Sequence, residues 1–296
     1  MAETPHIIQL PGRALLRLDG PEAKDFLNGL VSNNVTKAAP DHALYAALLT
    51  PQGKFLADMF IQAHQDALWL DVAASRLDDL AKKLKLYRLR AKVEIAPQPG
   101  WQAYALIGPK AAEALALPEQ AGAAKAFGQG FACIDPRLAA MGARIWLHPQ
   151  GEAPNLGEKA EFAAYEALRL RLGLPDGAQD IEIDKGLLLE NHFEALHGVD
   201  FAKGCYVGQE VTARTKYRGL VKKQLYRVNA EAALPPPGSI VTQDGTEAGQ
   251  LLSHDGQVGL ALLRNEQVTK ASEGGAPLLA GGIALQATLP DYVAKA

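Results

Sequence analysis

The stretch ALYAALLTPQGKFLADMFIQA, residues 43–63, constrains the fold of this 296-residue chain most strongly. It contains two apolar runs, which Pro51, Gln52 and Gly53 separate. Proline and glycine are typical of tight turns, so the pattern predicts two strands joined by a turn. The run LWLDVA, residues 68–73, predicts a third strand directly after them. This part of the chain is therefore predicted to form a sheet of consecutive strands.

Helical patterns alternate with further strands. Residues 75–86 carry leucines at helical spacing, and residues 158–172 carry a similar apolar stripe before Gly173 ends the pattern. Residues 87–96, YRLRAKVEIA, alternate polar and apolar side chains, which is typical of a strand. Residues 175–204 show neither period, and loops of this length are usually functional. The mixture predicts an α+β fold.

The length of the chain predicts more than one structural unit. At about 150 residues per domain, 296 residues correspond to two or three units. The run LPPPG, residues 234–238, is typical of a linker. Beyond it, Asp244-Gly245 and Asp255-Gly256 separate short apolar runs, which predicts a small antiparallel barrel at the C-terminus.

Composition excludes several classes of protein. A formal net charge of −3 predicts no general attraction to nucleic acid. The start of the chain lacks the basic head and apolar run of a signal or transit peptide, and no window reaches the roughly 18 apolar residues of a membrane helix. These features predict a cytoplasmic protein with no membrane partner.

The cysteine and histidine content argues against disulfides and metals. Cys133 and Cys205 are the two cysteines, and a reducing compartment keeps both thiols free. The sequence contains no Cys-x-x-Cys pair, and His192 and His197 do not stand at a usual ligand spacing. We therefore expect no metal site.

The segment DFAKGCYVGQEVTARTKYRG, residues 200–219, has almost no apolar periodicity, which is typical of a functional site rather than of a core. The ammonium of Lys203 would favour the thiolate of Cys205. Gly204 and Gly208 would let a backbone approach a ligand closely. Cys205 is thus predicted to be a reactive thiol; the alternative is a small buried apolar residue.

Basic residues follow this segment. Tyr206, Gln209 and Glu210 are predicted to form the first turn of a helix that runs toward Thr215. Basic side chains then follow with no acid among residues 211–230: Arg214, Lys216, Arg218, Lys222, Lys223 and Arg227. They form either a solvated face or a surface for an anionic ligand or a polynucleotide.

A second basic run covers residues 82–92. On the predicted strand 87–96, Arg88, Arg90 and Lys92 share one face. They either line a groove or meet water, and water is the more common environment for charged side chains on a sheet.

The motif KGCYVGQE, residues 203–210, followed by TAR at residues 212–214, resembles the signature of the YgfZ-type folate-binding proteins. These are relatives of the aminomethyltransferase (T-protein) of the glycine cleavage system. Residues 26–35, FLNGLVSNNV, and residues 169–177, RLRLGLPDG, also resemble segments of this family. Glu190 followed by Asn191 is closest to the mitochondrial-type branch, which matures [4Fe–4S] proteins.

The resemblance implies an α+β fold with three lobes in a ring, like the T-protein, and a C-terminal antiparallel β-barrel. Residues 1–47 with 145–228 would form the folate-binding lobe that carries the motif, residues 48–144 a second lobe and residues 229–296 the barrel. The implied function is assembly or repair of iron–sulfur clusters, with indirect effects on tRNA modification. Its implied partners are iron–sulfur assembly proteins or client apoproteins.

The resemblance also assigns roles to single residues. Cys205 and Lys203 would carry the chemistry, together with the motif residues Gly204, Tyr206, Gly208, Gln209 and Glu210. Tetrahydrofolate or a derivative would contact Glu190, Asn191, Asp58, Asn33 and Arg214. A carboxylate at position 190 can accept two parallel hydrogen bonds from the aminopyrimidine edge of a pterin.

One departure from the aminomethyltransferases weakens the expectation of catalysis. Those enzymes have paired aspartates where the stretch QGKFLADMF contains only Asp58. The leading hypothesis is therefore a folate-binding assembly factor that acts through Cys205. A folate-dependent one-carbon transferase and a tRNA-binding module are the alternatives.

Overall fold

The computed structural model describes residues 4–219 and 221–294. Its strands are β1 His6–Gln9, β2 Arg13–Asp19, β3 Leu44–Leu49, β4 Phe55–His64, β5 Ala67–Ala73, β6 Glu94–Gln98, β7 Gln102–Ile107, β8 Ala124–Phe127, β9 Gly130–Ile134, β10 Ala143–Leu147, β11 Glu158–Lys159, β12 Lys223–Asn229, β13 Ile240–Gln243, β14 Thr246–Asp255, β15 Val258–Arg264, β16 Leu278–Ala280 and β17 Ile283–Thr288. Its α-helices are α1 Ala23–Asn28, α2 Leu77–Arg88, α3 Ala111–Ala114, α4 Phe162–Leu172, α5 Gln209–Arg218, α6 Asn265–Ser272 and α7 Asp291–Ala294.

Two sheets form the larger part of the molecule. One has the strand order β3-β4-β5-β2-β6 and the other the order β11-β1-β7-β10-β9-β8. A shared core that includes Tyr45, Phe60, Trp69 and Trp146 lies between them. Helices α1 and α2 cover the outer face of the first sheet with apolar side chains. Both sheets are therefore buried over much of their area.

The C-terminal part forms a closed antiparallel barrel in the order β12-β15-β14-β13-β16-β17. The α+β class and the C-terminal barrel are confirmed. The division into lobes at residues 1–47 with 145–228, 48–144 and 229–296 stays a prediction, and its three boundaries fall inside strands β3, β10 and β12.

The two strands and turn predicted over residues 43–63 and the strand predicted over residues 68–73 are confirmed, since β3, β4 and β5 pair in sequence order. The strand predicted over residues 87–96 is wrong at its beginning. Helix α2 continues to Arg88, Leu89 takes φ 45° and ψ −104°, and β6 begins only at Glu94. Arg88, Arg90 and Lys92 therefore share no strand face, because two of them lie in the turn between helix and strand.

Two helix starts also differ from prediction. Glu158 and Lys159 form a short strand that pairs with β1, so α4 begins at Phe162. Gly173 ends α4 in the left-handed region, as expected. Helix α5 begins at Gln209, so Tyr206 precedes the helix and does not form its first turn.

Within residues 4–219 and 221–294, we find no helix with the length and apolar character needed to cross a membrane.

Candidate functional site

The two cysteines have opposite environments. Cys205 is exposed and free, in the irregular segment just before α5. Cys133 lies on β9 with 4% of its surface exposed, and burial together with the nearby carboxylate of Asp135 raises the pKa of its thiol. Since thiolates are the nucleophilic and metal-binding form, only Cys205 is placed to meet another molecule.

Lys203 is a structural anchor in this fold. Its ammonium donates hydrogen bonds to the carbonyl oxygens of Asn28 and Val31 at 2.6 Å and of Asn33 at 2.9 Å. Burial lowers the pKa of Lys203 to about 8. Carbonyl oxygens occupy all three N–H donors of this ammonium. Stabilisation of the Cys205 thiolate, which the sequence predicts for Lys203, is therefore not the main interaction of the ammonium.

The two glycines beside Cys205 differ from each other. Gly208 has φ +82°, and a Cβ there would lie 2.4 Å from the carbonyl oxygen of Thr50 and 2.9 Å from Cβ of Leu49. Gly208 therefore lets the motif pack against the turn after β3, rather than against a ligand. A Cβ at Gly204 would meet nothing within 4 Å. Of these two glycines, only Gly204 leaves room for a ligand to approach the backbone closely.

The remaining motif residues stabilise the start of α5. The side chain of Gln209 accepts a hydrogen bond from the backbone N–H of Tyr206 at 3.1 Å. The ring of Tyr206 lies 4.9 Å from the Lys203 ammonium. Glu210 accepts a hydrogen bond from Arg214 at 2.5 Å on the exposed face of the helix. Arg214, one of the five residues predicted to contact a folate, thus pairs with the carboxylate one turn before it.

Glu190 and Asn191 lie in a 3₁₀ turn, Leu189–Asn191, that packs against barrel strand β12. The carboxylate of Glu190 lies 3.9 Å from the ammonium of Lys223. Burial raises the pKa of Glu190, although the charges of Lys223 and Lys54 oppose this shift. The side-chain nitrogen of Asn191 donates to the carbonyl of Leu187 at 3.0 Å. Its oxygen is buried and has no hydrogen-bond partner among the described residues.

Asp58 is buried between the two sheets. It accepts a hydrogen bond from the hydroxyl of Tyr45 at 2.9 Å, and burial raises its pKa despite the nearby guanidiniums of Arg13 and Arg137. Asp58 lines a cavity of about 130 Å³, and a Cβ on the adjoining Gly177 would lie only 2.1 Å from its carboxylate. This cavity by itself is smaller than ordinary ligand pockets, which enclose roughly 300 Å³ or more.

Asn33 lines a different cleft of about 720 Å³. Its amide nitrogen donates to the carbonyls of Tyr45 and His197 at 2.7 Å, and its oxygen accepts from the N–H of Asn34. Neither this cleft nor the cavity beside Asp58 is lined by Glu190 or Asn191. The cleft and the cavity therefore each contain one of the five predicted folate residues, Asn33 and Asp58 respectively.

A buried ionic network lies between the two sheets, and the sequence did not predict it. Asp71 accepts hydrogen bonds from Arg13 at 2.6 Å, from Arg144, and from the indole of Trp146 at 3.1 Å. The two guanidiniums hold the pKa of Asp71 below its usual range although burial opposes them. The one sequence feature that indicates this network is Asp71 itself, a single acid inside the apolar run LWLDVA.

Over residues 4–219 and 221–294, we find no group of three or more His, Cys, Asp or Glu side chains arranged to hold a metal ion.

Two families of domains match the sequence of this chain. Residues 12–130 match the family described as GCVT N-terminal domain, and residues 222–295 match the CAF17 C-terminal beta-barrel domain. The aminomethyltransferase T of the glycine cleavage system from Bartonella henselae has a similar fold, with a TM-score of 0.78 over 97% of this chain and 85% of that one. At 17% identity this likeness concerns the fold alone.

Two curated proteins match over nearly the whole length. The human iron–sulfur cluster assembly factor IBA57, mitochondrial, is 35% identical over 96% of this chain and 84% of its own. The mouse protein of the same name is 34% identical over the same shares.

The fold and the motif thus define a protein built on the aminomethyltransferase fold with a C-terminal barrel. The likeness to the human and mouse proteins is more specific: the chain belongs to the family of iron–sulfur cluster assembly factors named IBA57. The resemblance to YgfZ-type proteins found a related family rather than this one. The prediction of a cytoplasmic location is wrong on this comparison, because these relatives are mitochondrial proteins.

Proposed function

We propose that this chain acts in the assembly of iron–sulfur clusters and that Cys205 is the residue through which it acts. The observation that carries the proposal is the exposure of the Cys205 thiol beside an anchored Lys203, in a chain whose other cysteine is buried. Family membership supports the cluster-related role, since the human and mouse relatives are named for it.

The chemistry of clusters defines what Cys205 can contribute. Cysteine thiolates are the usual ligands of iron–sulfur clusters, and one thiol completes only part of a ligand set. The other ligands must come from a second molecule, such as an assembly protein or a client apoprotein. Cys205 is suited to this shared ligation, because it is exposed while the segment around it is fixed by the Lys203 ammonium.

Anaerobic reconstitution tests this role directly. The protein is incubated with iron, sulfide and glutathione, which supplies the remaining thiolates. The wild type and Cys133→Ser should develop cluster absorbance, whereas Cys205→Ser should not. Equal cluster uptake by Cys205→Ser would contradict a ligand role for this thiol.

We also propose that a reduced folate binds at the Glu190–Asn191 turn. The carboxylate of Glu190 and the unpartnered oxygen of Asn191 are both acceptors, and the aminopyrimidine edge of a folate presents donors. The charges of Lys54 and Lys223 favour the carboxylate form of Glu190 that this pairing needs. When bound, tetrahydrofolate would supply a carrier for one-carbon units. Titration calorimetry with tetrahydrofolate tests this, and absence of heat would contradict it.

A folate-dependent one-carbon transferase is the second candidate function. Asp58 favours it, because a buried carboxyl with a raised pKa and a hydrogen bond from Tyr45 can exchange a proton. Turnover with an aminomethyl donor separates this candidate from an assembly factor. Binding of tRNA stays a prediction, and two basic residues of α5 pair with carboxylates: Arg214 with Glu210 and Lys216 with Glu194.

A further inference from the structure

The end of helix α2 exposes two leucines. Leu86 is 77% exposed and Leu89 is 86% exposed, although both are large apolar residues. Leu86 lies in the last turn of the helix and Leu89 directly follows it, so both are at the same end of α2. The other leucines of the helix pack against the first sheet: Leu80 and Leu84 are buried there and Leu77 is partly buried. Leu86 and Leu89 therefore have no role in the core.

The backbone at Leu89 is strained. With φ 45° and ψ −104°, it occupies a region that favours glycine and that costs a residue with a Cβ roughly 1–3 kcal/mol. A leucine in this conformation keeps its side chain in water at a cost in stability. Strain of this kind is concentrated at functional sites.

Positive charge surrounds the two leucines. Lys82, Lys85, Arg88 and Arg90 are exposed, and residues 80–93 contain no acid. Together with Leu86 and Leu89 these four residues form what we call the basic leucine patch. Among the residues that the structure describes, none of the four cations lies within 4 Å of a carboxylate.

The acids of α2 and the acid next to Lys92 do not pair with the cations at the tip of the patch. Asp78 and Asp79 lie in the first turn of α2, one turn from Lys82 but at the opposite end of a helix about 18 Å long from Arg88 and the two leucines. Asp79 pairs with Arg76. Glu22 accepts a hydrogen bond from the backbone N–H of Lys92 at 3.0 Å. Around the apolar tip, Lys85, Arg88 and Arg90 therefore carry positive charge with no carboxylate within 4 Å among the described residues.

We propose that the basic leucine patch docks on an anionic lipid surface, with Leu86 and Leu89 inserted among the headgroups. Segments that lie in a membrane interface are typically rich in lysine and arginine around exposed leucines. The cations attract such segments to anionic lipid. A nucleic acid would use the cations but not the leucines. Protein hot spots favour tryptophan, tyrosine and arginine, and leucine is under-represented in them.

Sedimentation with lipid vesicles tests the proposal. One set contains phosphatidylcholine alone, and the other contains phosphatidylcholine with phosphatidylglycerol. The wild-type protein should sediment with the second set at low salt, and high salt should weaken its binding. The double variant Leu86→Ser/Leu89→Ser should bind roughly tenfold less. Ile240→Ser, which removes an apolar side chain that is 58% exposed on the barrel, should bind like the wild type.

A second variant separates lost binding from lost folding. Leu89→Gly removes the side chain and also relieves the backbone strain, so it should bind vesicles less while its melting temperature does not fall. Equal sedimentation with both vesicle sets, or unchanged binding by the leucine variants, would overturn the proposal. The proposal would also be overturned if the wild-type protein bound a tRNA transcript but no vesicles, and Lys82→Glu/Lys85→Glu abolished the tRNA binding. The patch would then be a nucleic-acid surface.

Discussion

The ammonium of Lys203 lies 2.6 Å from the carbonyl oxygen of Val31, although 172 positions separate the two residues in the chain. The same ammonium reaches the carbonyl of Asn28, the last residue of α1. Carbonyls at a helix C-terminus lack partners within the helix, and a cation there is favourable. Lys203 thus fastens the segment that bears Cys205 to the end of α1.

Replacing Lys203 by Met should lower the free energy of unfolding by about 2–4 kcal/mol, because it leaves buried carbonyls without their charged donor. Chemical denaturation measures this change. Lys37→Met is the matched control: its ammonium pairs with Asp200 at 2.7 Å but its side chain is 59% exposed, so its loss should change stability by about 1 kcal/mol or less. Equal effects of the two variants would contradict the anchoring role.

The two glycines that flank Cys205 should respond differently to alanine. Gly208→Ala should destabilise the protein by about 2–4 kcal/mol, since the new Cβ meets the Thr50 carbonyl and the backbone is left-handed. Gly204→Ala should stay within about 0.5 kcal/mol of the wild type, because its surroundings are open. Thermal unfolding of both variants decides the matter, and a large loss for Gly204→Ala would be inconsistent with this packing.

The stability contribution of Asp58 should depend on pH. Its pKa is raised in the folded protein, so its protonated form stabilises the fold at low pH and this contribution is lost as pH rises through the folded pKa. Asp58→Asn keeps an acceptor for the Tyr45 hydroxyl and has no charge to bury. Relative to the wild type, the variant should therefore gain stability as the pH rises from about 4, the ordinary pKa of an aspartate, to about 7. Urea unfolding at both pH values measures the difference, and a difference that shrinks with rising pH would reverse the assignment.

Glu190→Gln should weaken tetrahydrofolate binding by about 1–3 kcal/mol, since an amide leaves one donor of the aminopyrimidine edge unmatched. Calorimetry with the folded variant gives this number. Asp58→Asn is the control, because Asp58 lines a separate small cavity and should not affect binding. Unchanged affinity for Glu190→Gln would remove the pterin from this turn.

Elements with continuous local signals could be predicted from the sequence. The hairpin of β3 and β4 and the leucine stripe of α2 each follow from neighbouring residues. The end of α2 could not be read in this way, because alternating leucine and arginine fit a helix end as well as a strand. The left-handed backbone at Leu89 also leaves no mark in the residue type.

The candidate site was predictable only in part for the same reason. The glycines and charges around Cys205 correctly indicated an exposed segment. The role of Lys203 could not be predicted, since its acceptors lie 170 or more positions away. The partners of Asp71, Arg13 and Arg144, are likewise 58 and 73 positions distant. Only the fold reveals such pairs.

The requirement for the Cys205 thiol is tested most directly in cells that lack the native protein, by comparing [4Fe–4S] enzyme activity with the melting temperature of each purified variant. Cys205→Ser should keep the wild-type melting temperature, because the side chain is exposed, and should lose aconitase-type activity. Cys133→Ser places a hydroxyl in the core, so it should melt earlier by an amount typical of about 1–3 kcal/mol and still support activity in proportion to the folded fraction. Full activity with Cys205→Ser would contradict the account.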